Sequence, residues 1–85
     1  MQEKTGEPIT IREAAVRLNR PEPTVRVWAS RHHARRIPFR PGKTAWYDWN
    51  DLKTIARQLT LGLPVPKSPE ERDEIRLAVR AGAAA

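Results

Sequence analysis

Apolar side chains recur at helical spacing in four separate stretches of the chain, and this repetition predicts four helices. The first stretch opens at Thr10, which with Glu13 makes the Thr-x-x-Glu pattern of a capping box. We expect this helix to end near Leu18 or Asn19. Its apolar face consists of Ile11, Ala14, Ala15 and Leu18, with Val16 at the edge.

A short connector leads to the second helix. Because a residue before proline is disfavoured in the α conformation, Arg20 and Glu22 are predicted to lie outside helices. Glu22 is then the N-cap, and Pro23 is the first residue of a helix that runs to about His32. Its positions facing the first helix are Val25, Trp28 and Ala29. A connector of about four residues between two short helices is typical of a helix-turn-helix.

The stretch from Arg35 to Tyr47 predicts a β-hairpin. Ile37 and Phe39 alternate before a Pro-Gly pair at positions 41–42, where proline presets φ and glycine accepts a positive φ. Trp46 and Tyr47 lie on the second side of the predicted hairpin, after the turn. The pattern fixes neither the register of the hairpin nor which of these two aromatic rings faces the core.

A third helix follows the hairpin. Asn50 is predicted as its N-cap, and Gly62 as its C-terminal stop. Trp49, just before it, is expected to pack under the hairpin. The apolar stripe of the helix consists of Leu52, Ile55, Ala56 and Leu59.

The last predicted helix begins after a stiff, proline-containing linker at positions 63–67. Ser68 caps it and Pro69 is its first residue, with an end near Ala81. Its narrow apolar stripe contains Ile75, Ala78 and Val79, with Leu77 offset. Docking on the core is the default expectation; pairing with a second copy or with another protein are the alternatives. The predicted organisation is a flexible arm (1–8), a domain (9–62), the linker (63–67) and a C-terminal helix and tail (68–85).

Composition restricts the possible functions. A chain of 85 residues forms one small domain, and without cysteine it has neither disulfides nor a thiolate nucleophile. His32 and His33 are adjacent, so on a helix they point about 100° apart and do not form a chelating pair. We therefore expect no metal, no cofactor and no enzymatic activity. No apolar run reaches membrane-spanning length, which favours a cytoplasmic protein without a membrane partner.

Positive charge is concentrated in one stretch. Residues 20–43 contain seven basic residues and the single acid Glu22, so their net charge of 7 − 1 = +6 equals that of the whole chain. Phosphates attract such cations, and forked guanidinium donors match the edges of guanine. Double-stranded DNA is therefore the expected partner.

Two groups of residues are predicted to contact DNA. The exposed face of the second helix would read the major groove with Thr24, Arg26, Val27, Ser30 and Arg31. The turn and the hairpin would contact the DNA backbone or an adjacent minor groove. The residues predicted to do so are Arg20, Arg35, Arg36, Arg40 and Lys43.

The order of three short motifs resembles a known superfamily. These motifs are Ile-Thr-Ile-Arg-Glu-Ala-Ala at 9–15, Pro-Thr-Val-Arg-Val-Trp at 23–28 and Trp-Asn-Asp-Leu at 49–52. Together they are similar to the MerR-like and excisionase-like winged helix-turn-helix domains. The resemblance implies a mainly α fold with a small β-hairpin, in which the second helix is the recognition helix and the hairpin is the wing. The chain departs from the pattern in having Pro21 where a small cap is usual, and no glycine near His32 or His33.

The resemblance implies two functions through the same surface. One is an excisionase-like architectural factor of a phage or other integrating element, which bends attachment-site DNA and works with an integrase or with copies of itself on adjacent sites. The other is a small transcriptional regulator that binds operators. The sensor region of full MerR regulators is missing, so no small-molecule effector is expected. A third possibility, from the residues alone, is a protein-interaction adaptor that acts through the fourth helix.

Overall fold

The structure, a computed structural model, describes residues 6–38 and 40–84. In this part of the chain the elements are, in order, β1 (Pro8–Ile9), α1 (Ile11–Leu18), α2 (Glu22–Arg31), β2 (Tyr47–Asp48), α3 (Trp49–Thr60) and α4 (Pro69–Ala84). β1 and β2 form a two-stranded antiparallel sheet with Pro8 opposite Asp48 and Ile9 opposite Tyr47. The fold is therefore mainly helical with one small sheet.

α1 has the bounds that its sequence predicts. The hydroxyl of Thr10 accepts the backbone N–H of Glu13 at 3.2 Å and so caps the helix start. At the other end Asn19 takes a left-handed conformation with φ 55°, and the N–H of Arg20 reaches back to the carbonyl of Ala15 at 3.0 Å. These bonds satisfy backbone groups that a helix end otherwise leaves unpaired.

α2 begins one residue earlier than predicted. Glu22 is helical, and Pro21 rather than Glu22 is the N-cap. The bias before proline is a preference, and the first N–H groups of a helix need no acceptor within it, so Pro23 costs no hydrogen bond in the first turn. The carbonyl of Pro21 accepts the N–H groups of Thr24 and Val25 at 3.1 and 3.2 Å.

The core lies where α1, α2 and α3 meet β1. Val25 and Ile55 are completely buried, and Trp28 and Leu59 pack at the border of the core. The buried apolar residues of this cluster are Ile9, Ile11, Ala14, Ala15, Val25, Ala29, Ala34, Leu52 and Ile55. The predicted apolar faces of the first three helices are thus confirmed.

The hairpin predicted over Arg35–Tyr47 is much reduced. Within the described residues its two sides meet in one antiparallel bridge, Arg36 opposite Tyr47. Two hydrogen bonds flank the bridge, from the N–H of Ile37 to the carbonyl of Trp46 at 2.8 Å and from the N–H of Asp48 to the carbonyl of Arg35 at 2.9 Å. Gly42 has φ 89°, as the turn requires. β2 pairs on its other side with β1, a partner distant in sequence. Phe39 lies outside the described residues.

The end of the predicted flexible arm is ordered. The N–H of Gly6 donates to Asp48 Oδ1 at 2.7 Å, and the carbonyl of Glu7 accepts the N–H of Trp49 at 2.9 Å. A Cβ at Gly6 would lie 2.5 Å from the side-chain amide of Asn50, so a larger residue there would require that amide to move. Burial of Ile9 explains why the segment is held against β2. Positions 1–5 of the predicted arm lie outside the described residues.

α3 is capped by Asp48 and not by the predicted Asn50. Asp48 Oδ1 accepts the N–H of Asn50 at 2.9 Å as well as that of Gly6, so one carboxylate ties the helix start to β1. Trp49 is the first helical residue, and the cations of Arg17 and Lys53 lie 5.2 and 5.7 Å from the centre of its ring. Gly62, with φ 69°, follows the last turn as predicted.

α4 docks on α3, which was the default expectation. Ser68 caps it by accepting the N–H of Glu71 at 3.2 Å, and the helix extends to Ala84, three residues beyond the predicted end. The docking contacts are mainly charged, whereas Leu77 and Val79 of the predicted apolar stripe remain 44% and 48% exposed.

Candidate nucleic-acid interface

The predicted contact residues of α2 share one side of the helix, opposite Val25 and Ala29. Thr24 is half-buried, and the other four residues of this set (Arg26, Val27, Ser30 and Arg31) are exposed. Arg26 forms an ion pair with Glu22 one turn earlier, at 2.8 Å. We call these five residues the α2 face.

The α2 face borders an open groove. The walls of the groove come from the start of α1, from α2, and from the start of β2 with the residues before it. Its lining residues are Thr10, Ile11, Arg12, Glu22, Arg26, Thr44, Ala45 and Tyr47. α2 and the segment that returns to β2 therefore open onto one surface, which has two arginines and one acid along it.

Two arginines of the segment 36–46 stack on aromatic rings. The guanidinium of Arg36 lies 5.3 Å from the ring centre of Tyr47, and that of Arg40 lies 4.7 Å from that of Trp46. Both arginines are exposed, as is Lys43 beside the Gly42 turn. Stacking orients a guanidinium while its N–H donors, which lie in the plane of the group, stay available to an anion. We call residues 36–46 the basic segment.

Arg20 lies in the connector between α1 and α2. Its side chain is exposed and donates to the carbonyl of Asn19 at 3.3 Å. Together with Arg12 and Glu22 it lines a second, shallower depression next to the groove.

Arg35 does not fit the predicted contact role. Its side chain is only 14% exposed and pairs with Asp48 at 3.3 Å, Asp73 at 2.9 Å and Glu70 at 3.4 Å. The hydrogen bond with Asp73 raises the pKa of Arg35 further, against the opposing effect of burial. This guanidinium joins β2 to α4, so it is not available to an external phosphate.

A buried ion pair, not predicted from the sequence, holds the end of α2 in place. Arg72 of α4 and Asp51 of α3 are both fully buried, with Nε to Oδ1 at 2.6 Å and a second bond to Oδ2 at 2.8 Å. The remaining donors of Arg72 reach the carbonyls of Pro66 at 2.8 Å and His33 at 3.3 Å. Asp51 Oδ2 also accepts the N–H of Arg35 at 2.7 Å. This pair therefore connects α4 to the backbone between α2 and the basic segment.

Little in the sequence predicts this pair. Arg72 belongs to a row of three arginines on an amphipathic helix, a pattern typical of a solvated face. Asp51 lies in the first turn of α3, where acids are common at exposed positions.

A second contact fixes α4 further along its length. Asp73 bonds both Arg35 and Arg76, and Arg76 also donates to Thr54 Oγ1 at 3.1 Å. Burial by itself raises the pKa of Asp73, but the hydrogen bonds and charges of the two arginines outweigh it and lower the pKa. Asp73 is thus ionised at neutral pH when α4 is docked.

His32 lies at the end of α2, close to the Arg72 contact. Burial lowers the pKa of His32, and the positive charges of Arg72 and Arg31 lower it further. A neutral imidazole at this position adds no charge to the α2 face near pH 7.

Metal-binding clusters and membrane-spanning helices are both absent from the described part of the chain. It holds no cluster of three or more histidine, cysteine or acidic side chains placed to bind a metal ion. None of its helices combines the length and the apolar character needed to cross a bilayer.

Comparisons of the chain with protein-family models, with curated proteins and with solved structures found no match in any of the three. The likeness to MerR-like and excisionase-like domains therefore stays a prediction that depends on the order and spacing of the residues in this chain.

Proposed function

We propose that this chain binds double-stranded DNA as a winged helix-turn-helix protein, with α2 in the major groove and the basic segment as the wing. One observation carries the proposal: the excess positive charge is exposed on α2, its preceding connector and the basic segment. Six exposed cations lie there, namely Arg20, Arg26, Arg31, Arg36, Arg40 and Lys43, against the single acid Glu22. Such a surface attracts the phosphates on either side of a groove.

The α2 face has the chemistry needed to read bases. Arg26 and Arg31 carry forked donors for guanine edges or phosphates, Thr24 and Ser30 carry hydroxyls, and Val27 offers methyl groups to thymine. Val27 is 46% exposed, although it is a β-branched apolar residue in the middle of a helix. Its exposed methyl groups are available to contact a thymine methyl in a major groove.

The basic segment has the chemistry of a backbone anchor. Arg36 and Arg40 are held by aromatic rings, so they lose less side-chain freedom when they bind a phosphate. Lys43 adds a point charge at the turn. Contacts of this kind fix the position of a protein on the duplex without reading its sequence.

An excisionase-like role remains the preferred form of this proposal, with a small transcriptional regulator as the alternative. One helix and one wing cover only a few base pairs, so useful affinity calls for several copies side by side or for a partner such as an integrase. DNA bending is part of the excisionase hypothesis only. A circular-permutation gel shift checks it, and mobility that is independent of the position of the site would count against it.

The first experiment is selection of bound sequences from a random duplex pool, followed by anisotropy titrations of the selected site and of random DNA. Arg26→Ala should cost about 1–3 kcal/mol on the selected site and less on random DNA, because only the former loses a base contact. Lys43→Ala should weaken binding to the selected site and binding to random DNA to the same extent. Lys67→Ala, an exposed lysine in the linker, is the matched control and should change neither.

Failure to enrich any sequence at moderate salt would contradict specific recognition. Equal losses on both DNAs for Arg26→Ala would remove its base-reading role. Footprinting then separates the two biological roles: clustered direct repeats next to an attachment site favour excision, and a single site over a promoter favours transcriptional control.

A further inference from the structure

A second surface lies on the α3–α4 side of the molecule. We propose that it binds an acidic, amphipathic segment of a protein partner, and this proposal is independent of duplex binding. The surface, called here the α3–α4 groove, is an open groove lined by Lys53, Thr54, Arg57, Ile75, Arg76, Val79 and Arg80.

The floor of the α3–α4 groove is apolar. Ile75 and Val79 are one helical turn apart on α4, and Val79 is 48% exposed. The apolar surface continues across α3 into an adjoining depression that shares Lys53 and Arg57 with the groove and includes Leu61, which is 56% exposed. α4 docks through arginines, and its own apolar residues are therefore left largely uncovered.

The rim of the groove is cationic. Of its four basic side chains only Arg76 is paired with an acid, Asp73; Lys53, Arg57 and Arg80 have no carboxylate partner among the residues that the structure describes. The exposed acids of α4 lie towards its other end, at Glu70, Glu71 and Glu74. Apolar side chains flanked by carboxylates are the complement of such a surface.

Charge and polarity favour this occupant over two others. A DNA backbone would satisfy the cations but would leave Ile75 and Val79 facing phosphates, with no gain from their burial. A second copy of this chain would bring a net charge of +6 towards another +6, and the resulting long-range repulsion opposes association. An acidic partner is attracted by the same field.

The test uses the full chain and a set of labelled synthetic peptides, each a helix with leucines at i, i+3 and i+4 spacing flanked by glutamates. The comparison peptides have the same composition in scrambled order, or lysine in place of glutamate. We expect the patterned acidic peptide to bind at least about tenfold more tightly than either comparison peptide. Its affinity should fall as salt is added.

Two pairs of exposed positions locate the binding on the protein. Arg80→Glu and Val79→Ser should each weaken the patterned peptide by about tenfold, because one reverses the rim charge and the other removes apolar floor. The matched controls Lys67→Glu and Val16→Ser make the same kinds of change outside the groove, and should stay within about twofold. Val16 is 78% exposed on α1.

Four results would each overturn the proposal. These are no binding by any patterned acidic peptide, equal binding by the scrambled peptide, a loss of duplex binding by Arg80→Glu as large as its loss of peptide binding, and a dimer in sedimentation equilibrium that Val79→Ser abolishes. The third result would assign the groove to DNA, and the fourth to a second copy of the chain.

Discussion

His33, which follows the C-cap residue His32 of α2, holds a left-handed backbone conformation with φ 51°. The N–H of Ala34 reaches back to the carbonyl of Ala29 at 2.9 Å, so His33 occupies the position after a helix where glycine is most common. A side chain with a Cβ is strained there by roughly 1–2 kcal/mol. The backbone is nevertheless kept in place, because the His33 carbonyl accepts a bond from the buried Arg72.

His33→Gly should therefore raise the free energy of unfolding by about 0.5–1 kcal/mol, after allowance for the greater freedom of glycine in the unfolded chain. Urea denaturation at pH 7 measures it. Asn19→Gly is the comparison, since Asn19 has a similar φ of 55° but asparagine tolerates this conformation better, so its gain should be smaller. A loss of stability in His33→Gly would mean that the imidazole makes a stabilising contact.

Glu22 is the one acid on the proposed DNA surface, and it is held by Arg26 at 2.8 Å. Removing its charge frees Arg26 and takes a repulsive group away from the phosphates. Glu22→Gln should therefore tighten binding to random duplex DNA by roughly two- to fivefold at low salt, with little change in stability, because exposed ion pairs contribute under about 1 kcal/mol. Anisotropy titration measures the change.

Glu74→Gln provides the control for Glu22→Gln, since it removes the same charge from an exposed position on α4. It should alter duplex affinity less than Glu22→Gln. The same gain in both variants would show that only net charge matters, and would remove the argument for a localised surface.

At the scale of elements, α4 is joined to the rest of the fold by the Asp51–Arg72 pair. Arg72→Met should lower the free energy of unfolding by about 3–5 kcal/mol, because Asp51 would remain buried with its charge uncompensated. Because that loss is a large part of the stability of a small domain, we expect the variant to be partly unfolded at 25 °C. Chemical denaturation followed by Trp fluorescence measures it.

The double variant Asp51→Asn/Arg72→Met tests the cause. It removes both charges of the Asp51–Arg72 pair, and the amide oxygen of asparagine can still accept the N–H of Arg35, so part of the lost stability should return. If the double variant lost as much stability as the two single variants together, Arg72 would stabilise the fold by packing and not by compensating the charge of Asp51.

The contact of Asp73 with Arg35 and Arg76 makes the docking of α4 sensitive to acid. Since the folded-state pKa of Asp73 is lowered below its ordinary value of 3.8, its contribution is fully present above pH 3.8 and is lost as the pH falls through the lower folded-state value. Asp73→Asn should lower the free energy of unfolding by about 1–2 kcal/mol at pH 7, and its difference from the parent chain should shrink below pH 3.8. A difference that is constant from pH 7 to pH 3 would contradict this origin.

Local signals in the sequence were enough to predict most helices. Thr10, Gly62 and Ser68 mark helix ends through their own side chain or backbone freedom, and the apolar spacing of α1 and α3 identifies their buried faces. The N-cap of α3 was misassigned because Asp48 and Asn50 are both good caps, and the choice depends on Gly6, forty-two positions earlier. β1 could not be predicted, since a strand of two residues has no periodicity of its own.

For the candidate site, too, local patterns were informative and contacts between distant residues were not. The α2 face depends on helical periodicity, and its exposure follows from the burial of Val25 and Ala29. Arg35 was misassigned because nothing in a local pattern distinguishes an arginine that faces solvent from one that meets acids thirty-eight positions away on another helix. Burial of Arg72 was missed for the same reason.

At the scale of the whole molecule, three of the acids lie in the interior, whereas the excess cations are exposed. Asp48 and Asp51 are completely buried and Asp73 is mostly buried, where they meet Arg35, Arg72 and Arg76. These three acids and three arginines cancel in charge. The net charge of +6 is thereby left to the surface, where the exposed cations of the connector, the α2 face and the basic segment have the single acid Glu22 among them.

This separation of charge predicts how salt acts on duplex binding. Each phosphate neutralised by the protein contributes about −0.9 to the slope of log affinity against log salt, so contacts from four to six exposed cations give a slope of roughly −4 to −5. Lys43→Ala should reduce the size of the slope by about one unit, and Lys67→Ala should leave it unchanged, although both variants lower the net charge equally. Titrations from about 50 to 200 mM salt measure the slopes. If the two variants reduced the slope to the same extent, binding would follow the charge of the whole molecule, and the proposed surface would lose its electrostatic basis.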